Sequence, residues 1–163
     1  MNSTLVVEVP IKTYLKKYLY GLEKLPYDSP IDCTKGGHIP IVIQLLFTGK
    51  MDLPYETDLA KDINDTIPVV LSWRKVDRKQ VIITAERVRF FNQFLYKSFM
   101  DHLLVKVLAY RNTGRKEAEL IREEMLKLDI IDDANFDAIK KALYRLRKSR
   151  NMELFYDKSC PAA

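Results

Sequence analysis

From Ala85 onward, Val88, Phe91, Leu95, Phe99, Leu103, Val107 and Tyr110 recur at intervals of three and four residues for more than six helical turns. Phe90, Phe94, Leu104 and Leu108 widen this stripe, so the helix is expected to lie centrally and to touch several elements. Thr84 is its expected cap. Arg87, Arg89, Phe90, Phe91, Phe94 and Lys97 also form a basic and aromatic mixture of the kind that stacks on bases. Core packing is the preferred reading, because the aromatics keep the helical period and the basic groups have room to point outward.

The elements before this helix are shorter. Leu5-Val6-Val7-Glu8-Val9, followed by Pro10, reads as a strand near a sheet edge. Tyr14, Leu15, Tyr18, Leu19, Leu22 and Leu25 then keep helical spacing, with Thr13 as expected cap and Lys16, Lys17, Glu23 and Lys24 on the opposite side; Pro26 stops the helix. Pro26 to Pro40, with Lys35-Gly36-Gly37-His38, is the longest loop signal. Ile39 to Phe47 fits a buried strand or a short helix equally. The acidic stretch Asp52 to Asp65 is a connection with a helical turn at Glu56 to Ile63, and Thr66 to Trp73 with Gln80 to Thr84 reads as a hairpin around a charged tip, residues 74–79.

After Gly114, a second stripe (Ala118, Ile121, Met125, Leu128) precedes a short break at Asp129 to Asp132. A third helix follows from about Asp133 to Arg150. The expected fold is α+β: a small mixed or antiparallel sheet with flanking helices, a long central helix and a C-terminal helical pair. The expected organisation is an α+β part over residues 1–84, a helical part over 85–151 and a tail over 152–163.

Charge singles out the C-terminal half. Residues 1–86 carry 11 basic and 11 acidic side chains, whereas residues 87–163 carry 16 and 11, which is the whole formal net charge of +5. Lys140, Lys141, Arg145, Arg147, Lys148 and Arg150 fall in one stretch without an acid, dense enough to attract a polyanion. At 100° per residue, Phe136, Ile139, Leu143 and Leu146 face the core, and Asp137, Lys141, Tyr144, Arg145 and Lys148 lie opposite. Lys140 and Arg147 flank the apolar stripe, where long stems snorkel. This face suits phosphate contacts with one stacking contact at Tyr144. Asp132, Asp133 and Asp137 at the helix start would repel phosphates, so they are read as capping and dipole residues, and the C-terminal half of the helix is expected to follow the backbone.

Other chemistry finds little support. The chain has no Walker loop, dinucleotide glycine fingerprint, nucleophile elbow, zincin pair or thiol pair, so no enzyme and no cofactor is expected. Cys33 and Cys160 are expected to be free thiols; Cys33 and His38 lack two further zinc ligands, so no metal is expected. No apolar run spans a bilayer and no secretory signal opens the chain, so a cytoplasmic location without membrane contact is expected.

Ala118, Ile121, Leu126, Ile130, Ile131-Asp132-Asp133 and the run Phe136 to Lys148 resemble small, mostly uncharacterised proteins of bacteriophages and mobile elements, with a basic C-terminal region like a helix-turn-helix. The opening run Val7 to Leu19 is similar in style. The resemblance implies a phage or mobile-element setting with DNA, more than RNA, as partner. The expected function is non-catalytic nucleic-acid binding through Lys140, Lys141, Tyr144, Arg145, Arg147, Lys148 and Arg150. The alternative is a protein-interaction or virion assembly module that self-associates or docks an acidic partner. A basic face continuous with Arg111, Arg115 and Lys116 would favour a polyanion track, and an exposed apolar patch a protein partner.

Overall fold

The computed structural model describes residues 4–48, 63–72, 83–110 and 113–150. The elements are β1 (Thr4–Ile11), α1 (Thr13–Glu23), β2 (Ile31–Asp32), α2 (His38–Thr48), β3 (Asp65–Ser72), α3 (Ala85–Ala109), α4 (Glu117–Lys127) and α5 (Phe136–Ser149). The fold is α+β. The chain forms two compact units, Met1–Ser98 and Phe99–Ala163, with the division inside α3.

In the first unit, a mixed sheet has the order β1-β3-β2. β1 runs antiparallel to β3 with Val9 opposite Ile67, and β2 runs parallel to β3 with Ile31 opposite Val69. Alternation explains the packing: Val9, Ile11, Ile67, Val69 and Leu71 are buried on one face. β3 holds the centre despite Pro68. The Val70 carbonyl accepts from Cys33 N at 2.9 Å, so even-numbered residues of β3 aim their main-chain groups at β2. The N–H that Pro68 lacks would point to that side, where pairing begins only at Val69. The expected partner of this strand, Gln80 to Thr84, lies mostly outside the described residues, as do the charged tip and the turn at Glu56 to Ile63.

Ile39 to Phe47 is helical: Pro40 sits in the first turn of α2, where its missing N–H costs nothing, and Ile39, Ile43, Leu46 and Phe47 are buried. The Pro26 to Pro40 loop contains β2 and is tied by Asp32, whose carboxylate accepts from Thr34 N at 2.9 Å. Within it, Cys33 is buried, which pushes its thiol up to about 12, while His38 is exposed with its ring 5.7 Å from that of Phe94.

Two expectations about α1 need correction. Its N-cap is Lys12 without a side-chain cap, while the Thr13 hydroxyl donates to Asn64 Oδ1 at 3.0 Å. Lys16 is buried rather than facing solvent. Its ammonium pairs with Asp28 at 2.5 Å and Asp65 at 2.8 Å and lies 5.1 Å from the Tyr27 ring centre. Asp28 adopts the left-handed conformation (φ 62°) at the turn that delivers its carboxylate. Burial alone would lower the Lys16 pKa, but the hydrogen bonds that its ammonium donates to the two carboxylates outweigh it and raise the pKa above the usual lysine range.

The first half of α3 packs as its period implies, with Val88, Phe91 and Leu95 buried. Thr84 Oγ accepts from Arg87 N at 3.4 Å, and Arg87 Nη1 donates to the Leu46 carbonyl at 2.9 Å. Asn92 lies fully buried on the same stripe. Its Oδ1 accepts from Lys12 N at 2.9 Å, and its Nδ2 donates to the carbonyls of Val88 at 2.9 Å and Pro10 at 3.2 Å. One amide therefore joins α3 to the turn between β1 and α1.

Candidate nucleic-acid interface

The second unit contains the residues from which the candidate site is built. Phe99, Leu103, Val107, Leu120, Ile121, Met125, Ile130, Ile139 and Leu143 are buried. Among them sits the carboxylate of Glu124, 3.0 Å from His102 Nε2 and 2.5 Å from Lys106 Nζ, two α3 groups one turn apart. Burial would raise the Glu124 pKa, but hydrogen bonds from Lys106 and His102 prevail and lower it. This buried ion group fixes α4 against α3 within the unit.

α4 ends in a left-handed residue, Asp129 (φ 56°), with Ile130 N donating to the Met125 carbonyl at 2.9 Å. The connection to α5 occupies residues 128–135, longer than the three or four residues of a standard helix-turn-helix turn. α5 begins at Phe136 rather than Asp133. Its cap is Asn135, whose Oδ1 accepts from Ala138 N at 3.0 Å, so Asp132 and Asp133 do not cap it. Asp137 lies in the first turn, where a negative charge complements the helix dipole.

The helical projection places the two faces of α5 correctly. Ile139 and Leu143 are buried, Phe136 and Leu146 half-buried, and Lys140, Lys141, Tyr144, Arg145 and Lys148 exposed. Among the described residues, no acid pairs with Lys140, Lys141, Arg145 or Lys148. Lys140, Lys141, Tyr144 and Arg145 line one depression of about 510 Å³, together with Asp137 and Glu117.

Arg147 and Arg150 are placed differently from the other five. Arg147 Nη1 donates to Glu117 Oε2 at 2.7 Å, and its guanidinium carbon lies 5.8 Å from the centre of the Tyr144 ring. Arg150 pairs with Asp101 at 2.8 Å. Both cations are already neutralised, so the uncompensated set is Lys140, Lys141, Arg145 and Lys148. Glu117 has no sequence signal that links it to this site, since it lies thirty positions from its partner.

Of the residues expected to extend the face, Arg115 pairs with Glu123 at 2.5 Å, Lys116 is exposed at the N-cap of α4, and Arg111 lies outside the described residues. Among the described residues of this unit, Leu126 and Val105 are the most exposed large apolar side chains, 58% and 66% exposed. Among the described residues, no helix is long and apolar enough to cross a membrane. No known protein family, curated protein or solved structure matches the chain.

Proposed function

We propose that this chain is a non-catalytic nucleic-acid-binding protein that holds the phosphate backbone on the exposed face of α5. The observation that carries this reading is the row Lys140, Lys141, Arg145 and Lys148, exposed and, among the described residues, without acidic partners, beside an exposed Tyr144. Among the described residues of the unit, Lys106, Arg115, Arg147 and Arg150 are matched by carboxylates, whereas Lys116, Arg122 and Lys127, on α4 and at its N-cap, are the other cations without one. A row of unmatched cations at helical spacing is suited to releasing counterions from a polyanion. The resemblance of this region to phage and mobile-element proteins makes DNA the first partner to test.

The salt dependence of binding checks the contact set. If the four cations each neutralise one phosphate, log K falls against log salt with a slope of about −3.6 on duplex DNA and about −2.8 on single strands. Each of Lys141→Ala, Arg145→Ala and Lys148→Ala reduces that slope by about one. These side chains are exposed, so the variants retain stability within about 0.5 kcal/mol. Fluorescence anisotropy with labelled 20-nucleotide DNA, repeated over a salt series, reads both quantities. Absence of binding at low salt would overturn the proposal and favour a module that docks an acidic protein.

A further inference from the structure

Resting on that reading, we infer that the depression on α5 takes one unstacked nucleotide of a single strand, with its base on the Tyr144 ring and its flanking phosphates on Lys141, Arg145 and Lys148. A backbone track alone needs a row of cations and no concavity. Here Lys140, Lys141 and Arg145 of the row line a depression of about 510 Å³ together with the half-exposed Tyr144. Bases in a duplex are stacked and paired, so none is available to enter; an unpaired base is.

The ring is held in place before any ligand arrives. Glu117 fixes Arg147, and Arg147 lies over the Tyr144 ring at 5.8 Å, so the ring is ordered while half of its surface stays open. Arg147 is thereby a positioning residue rather than a phosphate contact. Asp137 sets the direction of the strand. It lies in the first turn of α5, lines the depression and repels phosphate there, although a carboxylate accepts readily from the N–H groups on a base edge; the Glu117 carboxylate is taken up by Arg147. The phosphates are left with Lys141, Arg145 and Lys148, none of which pairs with an acid among the described residues.

The test compares oligo-dT and oligo-rU of twelve nucleotides with a twelve-base-pair duplex, on wild type, Tyr144→Ala, Tyr144→Phe and Arg147→Lys, by anisotropy at fixed salt. Stacking of one base predicts a loss of roughly 5- to 150-fold on single strands for Tyr144→Ala, little change on duplex, and retention in Tyr144→Phe. Arg147→Lys, which keeps the charge and loses the planar group over the ring, weakens single-strand binding without altering its salt slope. Equal weakening of single strands and duplex by Tyr144→Ala, or no weakening of either, would overturn the inference and leave the backbone reading intact. No binding of any probe by wild type would overturn both.

Discussion

Replacing Asn92 by Leu is expected to destabilise the first unit by about 3 kcal/mol, although the side chain is nearly the same size and the site is wholly buried. The cost does not come from lost packing. Lys12 N–H loses its 2.9 Å acceptor and the Pro10 carbonyl its 3.2 Å donor; Pro10 lies at the end of β1 and Lys12 at the N-cap of α1. A buried main-chain group left without its partner costs about 1–3 kcal/mol, and two are affected; the Val88 carbonyl loses only a supplement to its helical bond. Asn92→Asp keeps the acceptor but turns both donors into repulsion of carbonyl oxygens, so at neutral pH it is at least as damaging. Urea unfolding followed by far-UV circular dichroism reads the change. A Leu variant within 0.5 kcal/mol of wild type would show that the amide does not brace the turn.

Glu124 is the second position where one side chain carries a large effect. Glu124→Leu leaves His102 and Lys106 against an apolar wall and is expected to cost about 2–3 kcal/mol. That is below the range for removing one member of a fully buried pair, because His102 and Lys106 both keep some solvent contact. The same group gives the second unit an acid limb. Its folded-state pKa is lowered from 4.5, so its contribution is fully present above the unfolded-state value. That contribution disappears as the pH falls through the folded-state value. Lys106, whose hydrogen bond to Glu124 raises its pKa from 10.5, acts in the opposite direction. Its contribution is lost only as the pH rises above that range. Glu124→Gln, which keeps the shape and loses the charge, flattens the fall in stability as the pH drops below the unfolded-state value of 4.5, relative to wild type. Identical acid limbs in the two proteins would assign the loss to other carboxylates.

Both residues occupy apolar stripes, which decides how far they were legible in the sequence. Asn92 projects between Val88 and Leu95, and Glu124 has Leu120 and Ile121 one turn behind it. A polar residue in such a place signals a buried hydrogen-bond group, but its partners lie too far along the chain for periodicity to name. Lys16 shows the same limit: its spacing suits either side of α1, and the deciding partners, Asp28 and Asp65, are distant in sequence. β1, the core face of α3 and both faces of α5 follow from alternation or helical projection, which depend only on near neighbours. The identity of α2 was not legible, because a short run that is apolar all round has no period to read. The exposed cations of α5 were readable as a row. The pairing of Arg147 with Glu117 and of Arg150 with Asp101 was not, since it arises only when α5 has packed.

The central claim is that nucleic acid meets this protein on α5. Titration of the ¹⁵N-labelled protein with a short single-stranded DNA, followed by amide chemical shifts, addresses it residue by residue. The account predicts shifts concentrated at Lys140, Lys141, Tyr144, Arg145 and Lys148, extending to Glu117 and vanishing as salt is raised. Shifts confined to Arg87, Arg89 and Lys97 on α3, or no shifts at low salt, would contradict it.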